Sequence, residues 1–239
     1  MLDGRFRIAL GPAKQVSLIS IRGALKKHVE EPKLSGEKHF PSSKEYMTGL
    51  CEVLSALPFH QVDQISEALH DAYLQGRTTY LLGNGGSAAL ASHMACDLGK
   101  GTIAPGRPRF RAVSLTDNVP LLTAWANDFQ FEDIFAQQLL NVVEKGDIVF
   151  AITTSGNSPN VVKALEVGRD AGAFNIGITG FDGGRVLGLC DLCLIVPSEN
   201  VQHIEDAHLC LAHSVFSAVR HRLMHAEAGR FAAASRFAP

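Results

Sequence analysis

The sequence predicts an α/β domain: a five-stranded parallel sheet flanked by helices, preceded by an N-terminal helical extension. Three observations carry this. From Thr78 onward, strand and helix patterns alternate without a break. The strand segments are short, continuous apolar runs, as expected where both faces of a parallel sheet are covered. Two of the strand-to-helix turns are crowded with glycine or hydroxyl residues, placing candidate ligand loops at the carboxyl ends of strands.

The elements follow in order. Residues 1–41 are broken by Gly11-Pro12, Glu31-Pro32 and Pro41, with one helical pattern from about Val16 to Val29, and read as an extension or arm. Ser42-Ser43 caps a helix over Lys44 to Leu57, and Pro58 separates it from a second over Gln61 to Leu74, where Val62, Ile65, Leu69 and Tyr73 recur at helical spacing. Strand Thr79 to Leu82 leads to helix Ser87 to Leu98, with Ser87 as its cap. Strand Phe110 to Ser114 leads to a helix opening near Asp117 or Asn118, and a further helix spans Phe131 to Val143. Strand Asp147 to Ile152 feeds helix Asn157 to Asp170. Strand Phe174 to Thr179 is followed by the Gly180 to Gly184 turn with a short helix, then by strand Leu192 to Val196. A long helix from about Val201 to Met224 closes a domain spanning 42–226, and an alanine-rich tail fills 227–239.

Composition narrows the partners. With 22 basic and 24 acidic residues and no long basic run, neither nucleic acid nor an anionic membrane is favoured, and a small ligand is expected. Apolar runs stay below the ~20 residues of a membrane span, and the first residues lack a signal-peptide core, so a cytoplasmic protein is expected. Five scattered cysteines do not make a disulfide framework. Cys190-Asp191-Leu192-Cys193 has the C-x-x-C spacing of a redox or zinc pair. With Cys193 inside a strand and no second such pair, buried structural thiols are the preferred reading.

Gly83-Asn84-Gly85-Gly86-Ser87 joins a strand to an alanine-rich helix. Helix-start amides are unsatisfied and sit at the positive end of the peptide dipoles, so an anion or a sugar hydroxyl can approach where glycine leaves room. The dinucleotide fingerprint is absent, and so is the lysine of a nucleoside-triphosphate loop. Thr153-Thr154-Ser155-Gly156-Asn157-Ser158 offers four hydroxyls at a second helix start, a phosphate pocket that needs no cationic side chain. His93 and Asp97, four apart, share a helix face, as Glu205 and His213, eight apart, nearly do. Such pairs are often surface contacts. Two helices each offering a carboxylate and an imidazole could instead hold a zinc-like ion or move protons between adjacent carbons. His203 and His208 lie off that face and read as solvated or structural. Asn127-Asp128 either caps a helix or contacts sugar hydroxyls.

On these motifs, together with Asn127-Asp128-Phe129, Thr179-Gly180, Asp182-Gly183-Gly184 and Ile204-Glu205, the chain from about Ser42 to Met224 resembles the SIS (sugar isomerase) domain family, and within it the phosphoheptose isomerase type. The resemblance implies a flavodoxin-like three-layer sandwich and a homotetramer with active sites between subunits. It implies aldose–ketose isomerisation of sedoheptulose 7-phosphate to D-glycero-D-manno-heptose 7-phosphate through an enediol. By position, Ser87, Thr153, Thr154, Ser155 and Ser158 would hold phosphate, while Asn84, Gly85, Gly86, Asn127 and Asp128 would contact the sugar. His93, Asp97, Glu205 and His213 would take one zinc per site, with Glu205 also facing substrate, and Asp97 and His213 would serve as base and acid. Asp97 stands where the family pattern has glutamate, Glu205 where it has glutamine, and Gly101 where an arginine is expected. The competing reading is a non-catalytic SIS protein of the DnaA initiator-associating type, which Thr116-Asp117-Asn118-Val119 somewhat resembles.

Overall fold

A computed structural model describes residues 42–225. The extension 1–41, with its expected helix from Val16 to Val29, and the tail 227–239 lie outside the described residues. The elements are α1 (Ser43–Ser55), α2 (Phe59–Leu74), β1 (Thr78–Gly83), α3 (Gly86–Gly101), β2 (Arg111–Ser114), α4 (Val119–Asp128), a 3-10 turn (Phe131–Asp133), α5 (Ala136–Leu140), β3 (Ile148–Ile152), α6 (Pro159–Ala171), β4 (Phe174–Thr179), a second 3-10 turn (Arg185–Gly188), β5 (Leu192–Ile195) and α7 (Val201–His225).

The five strands form one parallel sheet in the order β2-β1-β3-β4-β5. The chain enters at β1, steps outward to β2, and returns to the other side of β1 at β3. The strand order therefore reverses between β1 and β3, where a crevice opens beyond their carboxyl ends. Both ligand loops predicted from sequence leave those two strands.

Strand periodicity divides the core into two layers. Ile148, Phe150 and Ile152 of β3 pack with Leu81, Ile176, Ile178 and apolar residues of α2, α3 and α7. Val149 and Ala151 pack on the opposite face with Leu82, Leu139, Val161 and Leu165. Every residue of β3 is buried, which explains its unbroken apolar run. Buried Asp147 ties the strand starts together, accepting from the Thr78 and Glu144 amides at 2.9 Å each. At α1, Ser42 is the N-cap and accepts from the Glu45 amide, as expected. This helix buries no residue completely; the Tyr46 hydroxyl donates to Asp206 at 2.5 Å, and its carbonyl accepts from His203 Nε2 at 3.0 Å.

Two local expectations are corrected. The helix foreseen over Phe131 to Val143 splits into the first 3-10 turn and α5, with Lys163 of α6 holding the turn by its contacts to Asp133 (3.1 Å) and Glu132 (3.6 Å). Ser87 does not cap α3: the N-cap is Gly85, at φ 55°, a left-handed conformation that favours glycine, and Ser87 is buried one residue inside the helix.

Candidate active site

The glycine loop is shaped by close approach. A Cβ at Gly83 would lie 2.7 Å from the Ile152 carbonyl oxygen, and one at Gly86 would lie 3.3 Å from Glu205 Oε1. The bare backbone lets β1 hug β3 and lets the Glu205 carboxylate sit over the start of α3. The hydroxyl loop is equally constrained. Gly156 has φ 66°, and a Cβ there would meet the Gly183 carbonyl oxygen at 2.0 Å. Thr153 Oγ1 accepts from the Gly156 amide at 3.3 Å, and Ser155 Oγ accepts from the Asn157 amide at 3.2 Å. Each of those hydroxyls keeps its proton to donate. Ser158 occupies the N-cap of α6 without a side-chain cap bond, and Pro159 follows at the first helical position.

Asn160 joins the two loops, and sequence reasoning missed it. Its Nδ2 donates to Asn84 Oδ1 at 2.8 Å, while Asn84 Nδ2 donates back to Asn160 Oδ1 at 2.9 Å. Asn160 is 1% exposed and also accepts from the Val161 amide at 3.0 Å. The pairing spans 76 positions, and nothing local marks it. Asn84, expected to face sugar, thus commits its amide to bridging the loops.

His93 and Asp97 of α3 meet His213 of α7. His93 Nε2 lies 3.5 Å from Asp97 Oδ2 and 3.4 Å from His213 Nε2, and His213 Nε2 lies 4.0 Å from Asp97 Oδ2. Zinc bonds of 2.0–2.1 Å in a tetrahedron put neighbouring donors about 3.3 Å apart. The three atoms therefore fit one face of such a site, with borderline N/O donors and a fourth position left open. Side-chain exposures of 45%, 26% and 51% leave His93, Asp97 and His213 reachable from outside this chain. Glu205, expected as a fourth ligand, is not part of this cluster. It lines a cleft of about 240 Å³ with Gly86, Ser87 and His93, so the cleft runs from the glycine loop to His93, the one member of the three-residue cluster that lines it.

The remaining sequence-predicted residues are distributed as follows. Thr153 is buried, Thr154, Ser155 and Ser158 are half-buried at the mouth of β3, and Asn127 and Asp128 are exposed at the end of α4. Asn127 Nδ2 donates to Asp128 Oδ1 at 2.8 Å. His203 and His208 are structural and buried, not solvated. His208 must carry its proton on Nε2, because the Thr179 carbonyl 3.2 Å away can only accept. Burial pushes this imidazole down to about 4.

Comparison with known proteins gives a consistent picture. The SIS domain model matches residues 44–180. The phosphoheptose isomerase of Trichlorobacter lovleyi is 40% identical over 152 residues, 64% of this chain and 77% of that protein. That of Aliarcobacter butzleri is 35% identical over 188 residues, 79% of this chain and 97% of that protein. Among solved structures, a phosphoheptose isomerase from Neisseria gonorrhoeae superposes with a TM-score of 0.70 at 27% identity, covering 74% of this chain and 96% of that one. One from Francisella tularensis gives 0.69 at 30% identity, covering 74% and 94%.

Proposed function

This chain belongs to the SIS domain family, and we propose that it is a phosphoheptose isomerase converting sedoheptulose 7-phosphate to D-glycero-D-manno-heptose 7-phosphate through an enediol. The observation that carries the reading is the convergence of His93, Asp97 and His213 beside a cleft that reaches the glycine loop. Ser87, Thr153, Thr154, Ser155 and Ser158 hold the phosphate, aided by the α6 N-terminus. Asn84, Gly85 and Gly86 border the sugar, chiefly through backbone. Asn127 and Asp128, exposed and distant in sequence from the other loops, complete the sugar contacts.

The reaction moves one proton between adjacent carbons. Asp97 takes a proton from C1 of the ketose while His213 gives one to the carbonyl oxygen at C2, forming the enediol; returning a proton to C2 and removing the one on O1 yields the aldose. A divalent ion, zinc by donor set, would be held by His93, Asp97 and His213, with Glu205 adding charge nearby, and would supply Lewis-acid polarisation of substrate oxygens. Nε2 of His213 cannot both coordinate and donate, so metal-loaded and metal-free enzyme should differ in their dependence on this residue.

A homotetramer with sites between subunits is supported by the exposure of the three-residue cluster and by α4, which buries no residue, begins at exposed Val119 and is followed by exposed Phe129 and Phe131. A cytoplasmic setting is supported by the five free thiols. The initiator-associating alternative is set aside because the two relatives described above are phosphoheptose isomerases and Asp97 and His213 stand together.

The test is turnover of sedoheptulose 7-phosphate in D2O. Product carrying solvent deuterium is expected, and His213→Ala should lower kcat/KM by about 10² to 10⁴ with folding preserved. A variant turning over at the parent rate would overturn the acid/base assignment.

A further inference from the structure

Cys190 and Cys193 take no part in the site described above. Cys193 lies in β5 directly opposite Gly177 of β4, and Cys190 stands two residues before the strand. A Cβ at Gly177 would meet Cys190 Sγ at 2.8 Å and Cys193 Sγ at 3.3 Å. The missing side chain is what allows both sulfurs to converge on one point over the sheet. Both are free and only partly buried, in contrast to the buried structural thiols expected from the sequence.

The backbone on either side of Cys190 is pinned. Asn175 Nδ2 donates to the Leu189 carbonyl at 3.0 Å, and the Asp191 amide donates to the Asn175 carbonyl at 2.9 Å. The pair is thus held in register by β4 and is not a chance meeting of mobile side chains. The neighbouring Cys190 thiol, helped by the Thr179 hydroxyl, holds the Cys193 thiol below its ordinary range despite burial. The Cys193 sulfur beside it, with burial, pushes Cys190 up. Cys193 is therefore the sulfur that ionises first, and the thiolate is the nucleophile.

We propose that Cys190 and Cys193 form a redox-active dithiol that closes to an intrachain disulfide by exchange with a low-molecular-weight disulfide of the glutathione class. The Cys193 thiolate attacks one sulfur of that disulfide and expels the other as a thiolate, giving a mixed disulfide. Cys190 gives up its proton to the expelled thiolate and attacks Cys193 Sγ, releasing the second small thiol. The pair loses two electrons and two protons, and the small disulfide becomes two thiols. The pair lies just beyond the segment in which the Val186 amide donates to the Gly156 carbonyl and the Arg185 amide to Asn157 Oδ1, the brace of the hydroxyl loop.

The test treats the folded full-length chain with oxidised glutathione, alkylates the remaining thiols, and maps peptides by mass spectrometry. The expected peptide carrying residues 190 and 193 is two hydrogens lighter, unalkylated at both, and recovered by dithiothreitol; Cys190→Ser should retain glutathione on Cys193. Exposed Cys51, Cys96 and Cys210 serve as internal controls. Full alkylation of Cys190 and Cys193 while the controls react, or a stable glutathione adduct on the unmutated pair, would overturn the proposal. The readout is thiol content, so it stands or fails apart from the isomerase assignment.

Discussion

His208 keeps a neutral, singly protonated imidazole inside the protein, and acid exposes its cost. Its Nδ1 is buried with no partner among the described residues, and burial holds the group at about 4 against an ordinary 6.5. Between those values the unfolded chain binds a proton that the native chain refuses, so stability present above pH 6.5 is lost as pH falls toward 4. The loss from this residue is up to roughly 3 kcal/mol. Urea midpoints measured from pH 7 to 4 should fall across that window, and His208→Gln should flatten the dependence; equal slopes in both proteins would reject the assignment. The sequence placed His208 off the catalytic face. Only packing could show that it is shut away against the end of β4.

The hydroxyl loop depends on a close backbone crossing. Gly156→Ala must adopt φ near 66° and place a methyl 2.0 Å from the Gly183 carbonyl. Separating the loop from the Gly183–Arg185 brace should cost at least about 1–3 kcal/mol and, in the proposed isomerase, raise KM for the phosphorylated ketose about tenfold or more. Gly188→Ala, where nothing lies within 4 Å, is the control and should change neither value. A Gly156→Ala enzyme with parental stability and KM would show that this crossing does not shape the phosphate pocket. Both loops were legible as local patterns of glycine and hydroxyl. Their bridge through Asn84 and Asn160 was not, because an asparagine inside a helix carries no local sign of a partner 76 positions away.

At the scale of the whole molecule, α3 and α7 are far apart in sequence, so an ion held between them links segments that unfolding would separate. Zinc at a hundred times its dissociation constant should stabilise the native state by about 2.7 kcal/mol. A matching rise in the thermal midpoint, reversed by a chelator and absent from a His93→Ala/His213→Ala double variant, is the expected result. A midpoint indifferent to zinc would remove the metal from the proposal and leave the proton-transfer pair. The strand-order reversal between β1 and β3 explains why both loops open into one crevice.

The sequence by itself determined the alternation of elements, the parallel sheet and the residue types at the two loops. Apolar periodicity, capping residues and glycine-rich turns act within a few positions and are read directly from the chain. Tertiary structure decided that His213 reaches His93 and Asp97 while Glu205 stands over Gly86 outside that cluster, that Gly85 rather than Ser87 begins α3, and that two thiols share the space above Gly177. Those outcomes depend on how closely helices and strands approach one another, a distance set by packing and not by spacing along the chain.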